Sequence, residues 1–117
     1  AEVLFICGPG EEPLINQISK QANVTVNCLP VISIKELGLI IKKSNLLLCN
    51  HTGIMHFASA VQTPVVVIFK HGETARWEPI NTPHVLLQEK KTGTLSPEVV
   101  LSKINQLLTN TTNHKTI

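Results

Sequence analysis

Aspartate is missing from this chain. All eight acidic residues among its 117 are glutamates, so any mechanism that turns on an aspartate must draw it from another chain segment. A receiver-like signalling domain, which needs an aspartate to phosphorylate, is excluded. Charge is scarce too: the net charge of +2 is too small to imply a nucleic-acid or membrane partner on electrostatic grounds. That scarcity does not mean disorder, because hydrophobic residues make up 43% of the chain against 15% charged, enough to build a core. The three cysteines, Cys7, Cys28 and Cys49, are odd in number and lack Cys-x-x-Cys spacing. No disulfide framework is expected, and a reducing cytoplasm fits. They read as small core residues. Cys49, His51 and His56 are close in sequence, but their spacing matches no standard zinc pattern, so no metal is expected. No apolar run approaches the roughly 18 residues of a membrane span, and the N-terminus lacks the charged-then-apolar order of a signal peptide. The chain starts almost at once with the strand-like run Glu2 to Cys7, which suggests a domain cut from a longer protein.

Short apolar runs alternate with helical patterns along the chain. Val3 to Cys7 reads as a strand buried on both faces and closed by Gly8-Pro9-Gly10. Leu14, Ile15, Ile18 and Ala22 then recur at helical spacing. Val24 to Cys28 is a second strand, ended by Leu29-Pro30. Ser33 and Glu36 make a capping-box pattern ahead of an amphipathic face of Ile34, Leu37 and Ile41. Leu46 to Cys49 is a third strand, and Asn50-His51-Thr52-Gly53 turns into a helix of small and apolar residues that ends near Val61. Val65 to Phe69, the most β-branched stretch, is a fourth strand. Lys70 to Pro83 has no clear period and reads as a long functional loop. His84 to Gln88 is a fifth strand. Ser96-Pro97-Glu98 opens a last helix with Val100, Ile104 and Leu107 or Leu108 on one face. This order predicts an α/β fold: one Rossmann-like parallel sheet with helices on both faces, over residues 3–108, followed by a flexible polar tail at 109–117. In such folds ligands sit beyond the carboxyl ends of the strands, which singles out Gly8 to Glu12, Val31 and Ile32, Asn50 to His56, and Lys70 to Trp77.

One of these segments has the composition of a diphosphate site. Thr52 offers a hydroxyl, Gly53 permits close approach of backbone, and His56 lies one helical turn beyond Thr52. Each also has a plainer reading: Asn50 or Thr52 as a helix cap, His56 as a packed imidazole, Glu11 and Glu12 as favourable charges at a helix start, and Trp77 as a filler of an interdomain seam.

The strand, the motif Asn50-His-Thr-Gly-Ile-Met-His56, its small-residue helix and Thr63-Pro64 together resemble the Asp-Thr-Gly-x-x-His segment of glycosyltransferase family 9, the heptosyltransferase family. Gly8-Pro-Gly-Glu-Glu12 is similar to the family's glycine-rich turn, Leu29-Pro-Val-Ile32 to the segment that packs on the base, and Arg76-Trp77 with Pro79 to the end of its long loop. The resemblance runs in order over roughly residues 3 to 108. It implies the C-terminal half of a two-domain GT-B enzyme that moves heptose or a related sugar from a nucleotide diphosphate, such as ADP-heptose, to a lipopolysaccharide precursor. It implies no cofactor and no metal. The place of work would be the cytoplasm, with the full-length enzyme peripheral at the inner membrane. On this resemblance Thr52, Gly53 and His56 hold the diphosphate, Glu12 (with Glu11 as the alternative) holds the ribose, and Ile32 flanks the base. The catalytic aspartate belongs to the N-terminal domain, so no catalytic residue is expected in this chain, which alone would be inactive.

Two departures stand out. His51 occupies the place of the family's usual aspartate, and Lys70-His71-Gly72-Glu73 replaces a Gly-Pro-Thr-Asp-like turn. An imidazole attracts phosphate when protonated and cannot offer a carboxylate to sugar hydroxyls, so His51 is expected to join the donor site on altered terms and to make its binding depend on pH. The departures leave an alternative from another class, a degenerate noncatalytic nucleotide-binding or interaction module.

Overall fold

The computed structural model describes residues 2–50, 52–70, 82–90 and 95–112, the side chains of 110–112 excepted. The chain divides into two compact units, residues 1–37 and 38–117.

In the first unit, Phe5 and Cys28 form a single parallel bridge, with the Phe5 amide donating to Asn27 O (2.8 Å) and the Leu29 amide to Phe5 O (2.9 Å). Gly10, at φ 82, takes the left-handed turn that a side chain would disfavour and delivers the chain into helix α1, Glu12–Ala22. Pro13 stands in its first turn, where no helical partner for an amide is lost. Asn23 ends the helix in the left-handed conformation (φ 54), its amide returning to Ser19 and Lys20, a C-cap for which asparagine is the usual non-glycine choice. The capping bond expected at Ser33 forms, the Glu36 amide donating to the Ser33 hydroxyl (3.2 Å), but the Glu36 carboxylate accepts from that hydroxyl (3.0 Å) and not from the Ser33 amide as in a full capping box. This cap starts α2, Ile34–Lys43, within which the division between the units falls.

The expectation of a strand from Val3 to Cys7 buried on both faces, and of a second strand from Val24 to Cys28, is corrected. Val3 is 62% exposed and Leu4 46%, the pairing is one bridge rather than a ladder, and no residue of α1 is buried. A pair joined at one bridge and accompanied by one helix offers too little surface within the unit to cover an apolar run on both faces.

The second unit is a parallel α/β layer structure. Strands β1 (Leu47–Asn50), β2 (Val65–Phe69) and β3 (His84–Gln88) form a sheet in that order. Leu47 pairs with Val65, and Val65 with His84, so all three carboxyl ends reach one edge. β2 is central and is the β-branched stretch. Val65, Val66 and Val67 are completely buried and Phe69 nearly so, as a strand covered on both faces requires. Helix α3 (Ile54–Ala60) packs on β1 and β2, and α4 (Pro97–Thr112) on β3. Met55, Ala58 and Ser59 are the buried residues of α3. Ile41, at the end of α2, is buried too, and the buried Thr63 hydroxyl donates to its carbonyl at 2.7 Å. α4 continues to Thr112, past the point where composition turns polar, with the Thr109 hydroxyl returning to Asn105 O (2.8 Å).

Candidate functional site

The carboxyl edge of the three-stranded sheet carries the strongest candidates. Beyond Asn50, the last residue of β1, the chain bends through Thr52 and Gly53 into α3. The Met55 amide donates to Thr52 O (3.2 Å) and the His56 amide to Gly53 O (3.1 Å). Thr52, Gly53 and His56 are exposed, whereas Met55 between them is buried. The helical period explains the split: Met55 and Ala58, three apart, face the sheet, and His56 is turned away from it. The motif thus uses one apolar residue to seat the helix and leaves a hydroxyl, a glycine and an imidazole open to a ligand. Gly53 has an ordinary helical backbone (φ −58), and a Cβ built there meets nothing within 4 Å. Neither strain nor packing demands glycine at this position.

Glu12 and Ile32 belong to the first unit. Glu12 opens α1 and is exposed, and Ile32 is half-buried just ahead of α2. Glu11 and Glu12 differ in their surroundings. The Glu11 carboxylate accepts the Gly8 amide at 2.6 Å and so closes its own turn, while the Glu12 carboxylate makes no hydrogen bond among the described residues. His51 lies outside the described residues, as do His71, Gly72, Glu73, Arg76, Trp77 and Pro79.

The sequence reading missed one feature of the edge. Asn50, Ile68, Glu89, Leu95, Pro97, Val100, Leu101 and Ile104 line an open cleft of about 580 Å³ between the sheet edge and α4. Its two polar members are Asn50 and Glu89. The Glu89 amide extends the β2–β3 ladder by donating to Phe69 O (2.8 Å), which fixes this residue just past the end of β3. The rule that picked out residues after the other strands picks out Glu89 when applied to the fifth.

The cysteines are also corrected. Cys7 and Cys28 are half-exposed rather than core residues, and their sulfurs lie 3.3 Å apart. Cys49 in β1 is half-buried, and that burial pushes its thiol up to about 11. Among the described residues no three metal-ligating side chains gather, and no helix is long and apolar enough to cross a membrane.

A model of glycosyltransferase family 9 (heptosyltransferase) matches residues 1–107. The fold is similar to the crystal structure of the glycosyl transferase family 9 from Veillonella parvula DSM 2008. The TM-score is 0.80 at 17% identity, over 92% of this chain and 36% of that one; this chain therefore spans well under two thirds of the length of the protein it matches. Comparison with curated proteins gives no match. With its family pattern running through nearly all of its length and its parallel α/β fold shared with a solved member, the chain belongs to glycosyltransferase family 9 (heptosyltransferase).

Proposed function

We propose that this chain is the donor-binding, C-terminal part of a two-domain glycosyltransferase that transfers heptose or a related sugar from a nucleotide diphosphate, ADP-heptose being the first choice, to a lipopolysaccharide precursor. The observation that carries the proposal is the exposed set Thr52, Gly53 and His56 at the carboxyl end of β1, seated by buried Met55, in a chain of this family. The Thr52 hydroxyl donates to a diphosphate oxygen, Gly53 lets the ligand lie against backbone, and the His56 imidazole offers a further N–H. Donors fixed in this way stabilise the negative charge that develops on the departing diphosphate. Glu12 binds the ribose hydroxyls and Ile32 flanks the base. The acceptor and the catalytic aspartate come with the part of the enzyme that precedes this chain, and the enzyme works in the cytoplasm at the face of the inner membrane.

The test is a backbone NMR titration of the chain with ADP, UDP, GDP and ADP-heptose. Shifts at Gly8–Glu12 and Asn50–His56, reduced in Thr52→Val, support the proposal. Shifts confined to other regions count against it. The noncatalytic reading is favoured by one observation, the histidine at position 51. His51→Asp separates the two. In a working site it weakens binding of bare diphosphate, since a carboxylate repels phosphate, yet spares or improves binding of the complete nucleotide sugar, whose hydroxyls it can accept. No change in either marks a degenerate site.

A further inference from the structure

We propose that Cys7 and Cys28 form an oxidation site, a dithiol that a peroxide converts into an intramolecular disulfide. The inference does not depend on the donor-site reading and uses residues of the first unit only. Backbone pairing explains why the two thiols meet. Phe5 and Cys28 are register partners in a parallel bridge and therefore point to the same side. Cys7 lies two residues beyond Phe5, and side chains two apart on an extended chain share a face. Cys7 is thereby brought onto the side occupied by Cys28, and the sulfurs lie 3.3 Å apart. A disulfide needs about 2.05 Å, so closure requires a movement of little more than an ångström by two short side chains. Both residues are half-exposed, which gives a small oxidant access. No backbone ladder beyond the single bridge holds these segments, so they can adjust to the bond.

The two thiols are not equivalent. Cys7 is held protonated, its pKa pushed up to about 11 first by its hydrogen bond to Cys28, then by partial burial, then by the charges of Cys28, Glu12 and Glu11. The Cys28 sulfur has a second contact, with its own thiol donating toward Leu29 O at 3.5 Å. The nucleophile is the thiolate, so Cys7, held protonated, is given the resolving role and Cys28 the first step. In the first step Cys28–SH and H₂O₂ give Cys28–SOH and water; the sulfur is oxidised and one peroxide oxygen leaves as water. In the second, Cys7 sulfur attacks the sulfenic sulfur, the S–O bond breaks, and its hydroxide takes the Cys7 proton to leave as a second water. One peroxide is reduced for each disulfide formed. A resolving thiol already in contact outpaces further oxidation to sulfinic acid.

The test uses the full 117-residue chain. It is treated with a slight excess of hydrogen peroxide, its remaining thiols are blocked with iodoacetamide, and it is digested with trypsin without reductant. Cleavage after Lys20, Lys35 and Lys43 places the three cysteines on three separate peptides, so a Cys7–Cys28 bond appears as a linked pair. The expected result is loss of two hydrogens from the intact chain, linkage of the Cys7 and Cys28 peptides, an alkylated Cys49, and full reversal by dithiothreitol. Cys49→Ser gives the same linkage. Cys7→Ser, with no resolving thiol, halts at a Cys28 sulfenic acid that dimedone captures. The proposal is overturned if Cys7 and Cys28 both stay alkylatable, if either goes to sulfinic acid without linkage, or if the bonds found join Cys49 or a second chain.

Discussion

Gly53 and Met55 stand two residues apart and answer to different constraints. Met55 is almost completely buried, so Met55→Ala is predicted to destabilise the fold by about 2–5 kcal/mol, the cost of a large-to-small change in a core. Urea unfolding checks it. Gly53 has helical φ and open space where a Cβ would sit. Gly53→Ala is therefore predicted to leave stability unchanged or raise it by about 0.4–1 kcal/mol, by restricting the unfolded chain. If Gly53 lines the proposed donor site, binding of a nucleotide diphosphate should nevertheless weaken by about tenfold, or about 1.4 kcal/mol, because the added methyl would occupy the ligand's path. Unchanged affinity in Gly53→Ala would remove Gly53 from the donor site. Electrostatics at this scale yields a second prediction. The Ser96 hydroxyl donates to the Glu98 carboxylate at 2.6 Å, and this bond, with a smaller contribution from the Glu98 amide and against slight desolvation, holds the carboxyl below its ordinary value. A depressed folded pKa means that the start of α4 is supported above the ordinary carboxylate range and loses that support as pH falls through the lowered value. An NMR titration of Glu98 should show the low midpoint, and Ser96→Ala should move it upward. The sequence made Thr52, Gly53 and His56 candidates, because a motif fixes residue type and spacing, and the fold leaves all three exposed beyond the carboxyl end of β1. It did not disclose that Glu11 is taken up by the Gly8 amide, since neighbouring glutamates look alike until the turn at Gly10 separates them.

Elements were legible where one periodicity dominated. The β-branched run that becomes β2 and the short run that becomes β3 start and stop where alternation and turn residues say they should. The capping-box pattern at Ser33 marks the start of α2 equally well. The Val3–Cys7 and Val24–Cys28 segments have the same apolar character, yet they yield only one bridge. Composition records that a segment can be a strand, whereas a ladder needs a partner in register over several residues, which is a tertiary property. Thr63 shows the same limit. In the chain it follows the end of a helix, where Gln62 takes a left-handed turn (φ 61). In the fold its hydroxyl reaches back across 22 positions to Ile41 O, tying the end of α2 to the start of β2. Thr63→Val is predicted to cost about 0.5–1.5 kcal/mol, the worth of one net hydrogen bond. The figure stays low because the Ser44 amide also donates to Ile41 O (3.1 Å) and keeps that carbonyl satisfied. Urea midpoints of the variant and the parent, with equal slopes, measure the difference. A stability equal to the parent's would show that the bond is structurally idle.

The whole molecule sets the scale of what the chain can do unaided. It corresponds to 36% of the length of a solved family member, and it has no aspartate. A donor site contributed by one part of an enzyme surrounds only part of its ligand, whereas small-molecule sites ordinarily bury most of the ligand's surface. Under the proposed function, losing one wall of the cleft would forfeit contacts to the sugar and to one side of the diphosphate, but would leave those proposed for Thr52, Gly53 and His56. The isolated chain is therefore predicted to bind nucleotide diphosphates with Kd on the order of 0.1–1 mM, an affinity of roughly 4–5.5 kcal/mol, and to catalyse no sugar transfer. Calorimetry or NMR titration measures the first, and incubation with ADP-heptose and a lipopolysaccharide precursor the second. The two results constrain each other. Weak binding without transfer is what a donor-binding part should give. Transfer by the chain alone would mean that one of its own glutamates or histidines acts as the catalytic base and that the reaction needs no contribution from outside. Glu89, at the carboxyl edge of β3 in the cleft shared with Asn50, is the first residue to replace in that event. Glu89→Gln would abolish transfer while preserving diphosphate binding if Glu89 were that base, and would leave both untouched if the activity resided elsewhere.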